Sequence, residues 1–490
     1  MKWLFLIALL VLTAATFALY ATRPAFRGTG APVIYLAGSP GPDTDSTFQV
    51  YQDWLKKSGL PATDLRIDVA NSDPTKVIIQ GISGIGSDLI PSYFGADMQY
   101  LQAMGLLSDL TPDADREGFG PGTFSPVAHD EAIVNGKQYA YPTLLYVLMD
   151  YVNVDTFTQL GLPVPPARMT FDQFETIGKE FVAKANPPGQ KMRRFFCSGV
   201  SPLTMRRSLG LDTFNETLTR CTLDDPRNTQ VLQLIHKWTE TDHLLPDATD
   251  MAAFTTDSST AASFGPRIYQ FRIGNIAMIA GGSYLAATFR QWPDLKLAVC
   301  EPTYGEFPNA VFGATMLSVY AGSKHPEAAR SYLHFLASPD YLHWVVESGT
   351  GIPANTEIAH SAEYLHPAGH PAEWPCNEPF VDAIEQIGIP YTASPYVLYS
   401  VYSRLDDEAC ARYTAGQCTA EEAARRAASA INDEINQTLE QQPALRARYA
   451  MLVARQQEID ARRQRGEKVP LDWIENPFYR RYYQFMKWAE

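Results

Sequence analysis

Basic residues are in short supply in this chain: 40 Lys and Arg stand against 54 Asp and Glu among 490 residues, for a formal net charge of −14. A protein whose main partner is nucleic acid or anionic lipid needs a basic footprint, so the shortage argues against both. Signatures of several chemistries are missing as well. No two of the six cysteines stand as CxxC, which removes the usual zinc and redox spacings, and no HExxH occurs. Gly81, Gly84 and Gly86 are not followed by the Lys-Ser/Thr of a phosphate loop and lie beyond a helical pattern, so nucleotide binding is rejected. Ser198 and Ser201 flank Gly199 without making a GxSxG elbow. No metal site or cofactor is expected. His360, His366 and His370 fall within eleven residues and could hint at a metal, though loop histidines explain them as well. No internal repeat and no low-complexity tract is present.

What is there suits an exported globular protein. The chain is 46% hydrophobic and 19% charged, and its length suggests two or three domains. After Lys2, the run Trp3–Thr22 carries no charge for 20 residues and ends before Arg23. That is long enough to span a bilayer as a helix and long for the apolar region of a cleaved signal, typically about 7–15 residues. Leu19-Tyr20-Ala21 makes a poor cleavage site, and no cysteine follows to carry a lipid, since the first is Cys197. An uncleaved signal anchor over residues 3–22 is favoured over a cleaved signal, and either way the body is expected in the periplasm or otherwise outside the cytoplasm. An even cysteine count in such a chain permits disulfides. Cys410–Cys418 is the best local pair, Cys197–Cys221 the next, and Cys300–Cys376 follows by elimination. Six cysteines allow about 15 pairings, and buried free thiols are the alternative.

Beyond a linker at Thr22–Pro32, short apolar runs alternate with helical patterns. Val33–Ala37, Leu65–Val69 and Asp88–Ile90 read as strands. Phe48–Lys57, Lys76–Ile85 and Ala96–Met104 read as helices. This alternation predicts a parallel α/β sheet, whose ligands bind beyond the carboxyl ends of the strands. Those ends carry small, polar or aromatic residues, which suit a neutral hydroxylated ligand better than a phosphate. Residues 155–290 are mostly helical in pattern. Strands follow at Leu295–Cys300 and Ala314–Tyr320, then helices at Pro326–Leu336 and Pro339–Glu347, each opened by a proline suited to a first turn. The last 50 residues differ: a helix at Ala444–Arg465, then Pro470 and the aromatic-basic PFYRRYYQFMKW.

Four stretches together carry a resemblance. They are SDLIPSYFGADMQYLQAMGLLSDLT (87–111), GKQYAYPTLLYVLMDYVNVDTFTQLGLPVPPARMTFDQFETIGKEF (136–181), FRIGNIAMIAGGSYLA (271–286) and SKHPEAARSYLHFLASPDYLHWVVESGTGIPA (323–354). TAEEAARRAASAIN (419–432) follows in the same order. The chain resembles the family 1 extracellular solute-binding proteins of ABC transporters, the group that includes maltose-binding protein. It departs from the pattern at Ala140, Val152, Phe171 and Tyr284, which stand where Gly, Tyr, Trp and Trp are usual.

The resemblance implies a two-lobed periplasmic-binding-protein fold of type II. Each lobe is a mixed sheet flanked by helices, with a hinge between. A signal anchor or signal peptide with its linker (1–31) would precede an N-lobe built from 32–148 and 309–355 and a C-lobe built from 149–308 and 356–440. A C-terminal helical extension (441–490) would follow. Crossings are implied near Tyr146–Asn153, Glu306–Gly313 and Ile352–His360. It further implies capture of a carbohydrate by hinge closure, delivery to ABC permease subunits, and no catalysis. Sugars present hydroxyl edges and apolar faces, so tyrosine, of which there are 25, suits both. Carried over by position, the ligand contacts would be Ser39, Asp43, Asn71, Ser92 and Tyr93 on loops after the first strands, then Tyr146, Tyr284, Gly313 and Tyr396. For each, core packing or plain surface is the competing reading. Two other functions compete: a membrane-anchored sensor or scaffold of the same fold, and a periplasmic glycosidase. The latter needs two carboxylates at a fixed separation, which the many Asp and Glu leave open.

Overall fold

The computed structural model describes residues 31–41, 44–92, 95–189, 192–254 and 265–490. The expected anchor at 3–22 lies outside them, and no helix among the described residues is long and apolar enough to cross a membrane.

Strands β1 (Val33–Ala37), β2 (Asp64–Asp68) and β3 (Leu89–Ser92) are joined by helices α1 (Thr44–Lys57) and α2 (Pro74–Ile82), and α3 (Met98–Ala103) follows. Asp73 caps α2 by accepting from the Thr75 and Lys76 amides, with Pro74 at the first helical position. The three strands pair in parallel, as the alternation predicted. The sheet as a whole is mixed, because the long β9 (Ala310–Val319) runs antiparallel to both its neighbours, β3 and β4 (Tyr141–Val147). Its order is β10-β4-β9-β3-β1-β2, where β10 is Ile352–Pro353, and β11 (Gly388–Pro390) pairs with the start of β9.

A second, four-stranded sheet has the order β8-β5-β7-β6, from β5 (Met149–Asn153), β6 (Phe195–Cys197), β7 (Ile276–Gly281) and β8 (Leu297–Cys300). Each sheet is the centre of one lobe, with helices α4 (Phe171–Ala185) and α5 (Pro226–His236) packed in the second and α6 (Pro326–Leu336) and α7 (Pro339–Ser348) in the first. The chain passes between them where β4 becomes β5 at Leu148, again between Cys300 and Ala310, and a third time at Gly388–Thr392. The third passage lies further along than the implied Ile352–His360. Residues beyond 353 first form α8 (Trp374–Gln386), which packs on both sheets and sets Phe380 5.2 Å from the Tyr151 ring.

The apolar core follows the same division. One cluster fills the first lobe and runs under α8 to Tyr151, Ile279 and Phe289, while Val152, Phe174, Phe196, Trp238 and Met278 cover the other face of the second sheet. That Tyr151 and Val152 serve opposite faces is the two-residue period of a strand. A third, helical cluster joins Phe214, Tyr396 and Ile431 around α9 (Tyr399–Thr414) and α10 (Ala420–Gln441). The extension forms its own cluster with α11 (Arg446–Gln464) and α12 (Pro477–Phe485).

The expected disulfides are not formed; all six cysteines are free thiols. Cys197 and Cys300 belong to the second-sheet cluster, Cys376 to the large one and Cys221 to the helical one, so two of the expected pairs would have to join different cores. Cys410 lies within α9 and Cys418 beyond its end. Burial pushes the thiols of Cys221, Cys300, Cys376 and Cys410 up to about 12.

Candidate functional site

The strand ends of the first lobe face the start of α9 in the second, and a cavity of about 240 Å³ lies between them. Ala37, Gly38, Asn71, Ser92 and Asp97 line it on one side and Leu398, Tyr399 and Ser400 on the other. Asn71 is buried, and its amide nitrogen donates to Asp68 Oδ2 (3.0 Å), Gln80 Oε1 (2.6 Å) and Ser87 Oγ (2.9 Å). Three acceptors around the nitrogen fix the amide's orientation and leave its oxygen without a partner among the described residues, where the buried Ser92 Oγ also lacks one. A buried polar atom left unpaired costs about 1–3 kcal/mol, so both favour a hydroxylated guest that can pair with them.

At this cavity the Tyr399 amide donates to Asp97 Oδ1 at 3.0 Å, joining the two lobes. Burial raises the Asp97 carboxyl from 3.8 to about 6, against the lowering effect of that bond.

Next to the passages, four tyrosines converge. Gly313 on β9 stands opposite Tyr146 on β4 in the antiparallel register. The missing side chain is what admits the Tyr146 ring, because a Cβ at 313 would run into the Tyr146 hydroxyl. The Tyr284 ring, 42% exposed, meets Tyr146 edge-on at 6.1 Å. Tyr391 and Tyr399 lie 5.2 Å apart and share a hydroxyl hydrogen bond. Below them Glu131 is buried, its Oε2 accepting from the Ala314 amide at 3.1 Å while Oε1 has no partner among the described residues. Its burial raises it well above the usual carboxylate range. Burial first, and then the nearby Glu131 charge, drives the Tyr146 hydroxyl far up as well. The site is thus lined with neutral donors and acceptors and flat aromatic faces.

Of the residues expected from the sequence, Asn71, Ser92, Tyr146, Tyr284 and Gly313 come together around these lobe contacts. Ser39 is exposed and borders a separate cavity of about 160 Å³ with Thr143 and Thr315. Asp43 and Tyr93 lie outside the described residues. Tyr396 is fully buried in the helical cluster, edge-on to Tyr449 at 5.1 Å, so the aromatic that this stretch sends to the cleft is Tyr399. Asp97, Glu131, Tyr391 and Tyr399 were missed. The signal available was the tyrosine-dense run from Pro390 to Tyr402; for Glu131 there was only an Asp-Glu pair in a short helix.

Of the histidine group, His360 meets Glu385 at 2.8 Å and His366 stands edge-on to Trp374. Among the described residues no cluster of metal-ligating side chains occurs.

Residues 62–342 match the family of bacterial extracellular solute-binding proteins. The chain belongs to that family. Its membership places the solute-binding protein outside the cytoplasm and makes its business binding. Comparison with curated proteins by sequence finds no match. Among solved structures, one that it resembles is an ABC substrate-binding protein from Listeria monocytogenes in complex with cycloalternan. The two are 21% identical with a TM-score of 0.67, over 84% of this chain and 99% of that one. Another is a Thermotoga lettingae ABC transporter solute-binding protein bound with α-D-tagatose (17%, TM-score 0.64, 83% of this chain and 100% of that one). A third is a maltose-bound T. maritima protein (18%, TM-score 0.63, 81% of this chain and 98% of that one). The shared architecture is the two-lobed type II binding-protein fold.

Proposed function

We propose that the solute-binding protein captures a carbohydrate or polyol in the interlobe cleft and delivers it to an ABC permease. The observation that carries the reading is the convergence of Tyr146, Tyr284, Tyr391 and Tyr399 beside the unpaired Asn71 and Ser92 oxygens. Aromatic faces suit the C–H face of a sugar, and uncharged polar atoms suit its hydroxyls. Structural neighbours holding cycloalternan, tagatose and maltose support the same class. Capture proceeds by hinge motion about the three passages, with ligand contacts to both lobes favouring the closed form. No bond is made or broken. Residues 3–22 serve as a signal anchor that keeps the protein at the membrane.

A thermal-shift screen over sugars and hexitols tests the reading, since a ligand that binds only the folded state raises its stability. At least one member of that class should raise the melting temperature, and Tyr284→Ala should weaken its binding about tenfold, the loss of one stacking platform worth on the order of 1.5 kcal/mol. A screen without a hit, or a Tyr284→Ala affinity equal to that of the parent, overturns it. Release of shorter sugars on long incubation with oligosaccharides would make the protein an enzyme instead.

A further inference from the structure

The C-terminal extension lies beyond the matched residues 62–342, yet it is built into the passages between the lobes. Its cluster of Ile459, Val469, Ile474, Phe478, Tyr479, Tyr482 and Tyr483 takes in two residues from elsewhere: Phe307 and Ile389. Phe307 sits in the second passage and Ile389 in the third. The Phe307 ring lies 6.0 Å from Phe478, 5.5 Å from Tyr482 and 5.0 Å from Phe485. One short helix, α12, therefore bears on both passages at once.

The polar contacts say the same. Arg481 donates to the carbonyls of Gly388 (2.7 Å), Gln386 (2.8 Å) and Glu385 (3.2 Å). Those are among the carbonyls that the end of α8 and the turn after it leave without a helical partner, and a guanidinium there also suits the negative end of the helix dipole. Asn476 is fully buried and donates to Asp212 Oδ2 at 2.8 Å and to the Phe214 carbonyl at 3.1 Å. Asp212 in turn pairs with the buried Arg207 at 2.8 Å and accepts from the Thr392 hydroxyl. Arg207 donates to the carbonyls of Ile389 (3.2 Å) and Pro390 (2.8 Å). The residue enclosed by these bonds, between Pro390 and Thr392, is the cleft tyrosine Tyr391. On the far side Arg480 reaches Asp130 of the first lobe at 3.2 Å.

We infer that residues 441–490 are a positioning brace for the binding cleft. Arg481 and Asn476 fix the third passage and with it Tyr391, and the aromatic face of α12 ties that passage to the second. The two passages then keep their places while the lobes swing about them. The inference rests on the cleft reading above only in what Tyr391 is positioned for; the bracing itself is read without any sugar.

The test is hydrogen exchange and small-angle scattering on the ligand-free full-length protein. Arg481→Ala should speed amide exchange at Ile387–Thr392 at least tenfold and enlarge the radius of gyration, with Arg481→Lys restoring part of both. Phe485→Ala, which removes a half-exposed ring and leaves the buried rings of the cluster in place, should speed exchange at Ala310 and Val311 beside Phe307. Arg465→Ala, on the same extension but paired only with Glu458 and Glu467, should do neither. Parental exchange and radius in folded Arg481→Ala overturn the inference. If Arg481→Ala does not fold, parental exchange in Phe485→Ala does so. A sugar screen without hits would leave these readings as they are, and their failure would leave a positive screen standing.

Discussion

Asp97 gives the cleft a pH dependence whose sign and size follow from its surroundings. Its carboxyl touches the second lobe through the Tyr399 amide, and burial there raises it from 3.8 to about 6. Apposed lobes therefore favour the neutral acid, whereas in separated lobes water restores the ordinary value. Closure takes up a proton. The contribution to closure is complete below about pH 4 and is lost as pH rises through 6. Two pKa units correspond to a limit of about 3 kcal/mol. With the two values taken at face value, affinity for an uncharged sugar should rise about tenfold between pH 7 and pH 5. Asp97→Asn keeps an oxygen for the Tyr399 amide but cannot titrate, so its affinity should stay level over that range. Isothermal titration at pH 5, 6 and 7 on parent and variant reads both. A level profile in the parent, or an equal slope in the variant, refutes the assignment of Asp97 to the lobe contact.

Other consequences follow from single residues. Gly313→Ala should cost about 1–3 kcal/mol, because the new methyl displaces the Tyr146 ring; adding Tyr146→Ala should recover part of that loss, and strict additivity of the two in urea unfolding would argue against the contact. Asp212→Ala leaves the fully buried Arg207 without its counter-charge and should destabilise by roughly 3–5 kcal/mol; a urea midpoint within error of the parent would contradict the burial of that pair. Under native conditions a thiol reagent should modify half-buried Cys418 first and leave Cys197, Cys221, Cys300 and Cys376 untouched until denaturant is added. Fewer than six thiols in the unreduced, denatured protein would show a disulfide instead.

Much of the scaffold was legible because local rules and tertiary demands agree there. β1 and the helix Pro326–Leu336 fall on the residues expected, where an apolar run and a proline-opened amphipathic pattern leave little choice. The first strands pair in parallel as their spacing required, but nothing local to Ala310–Val319 announced that it would run against them, since direction is settled by partners far away in sequence. The site was legible in part. Gly313 and Tyr146 were singled out separately, and their complementarity emerges only when they stand opposite each other in the sheet. Tyr396 precedes α9 and Tyr399 opens it, and those three residues are enough to send one ring into the helical core and the other to the cleft. Cysteine spacing misled because it is blind to which core each thiol enters.

The central position of β9 has a consequence for how the molecule comes into being. The strand lies between β3 and β4, so the seven-stranded sheet cannot close until residue 319 is available to join two segments made long before it. A chain that emerges at about 5–20 residues per second would have to keep the facing edges of β3 and β4 unpaired for many seconds. Pairing of such distant segments is slow in any case. During that interval the apolar strands are open to translocation machinery or to chaperones. The sheet order therefore delays compaction until most of the polypeptide has been made, which is the state in which a chain bound for the far side of a membrane can still be threaded through it.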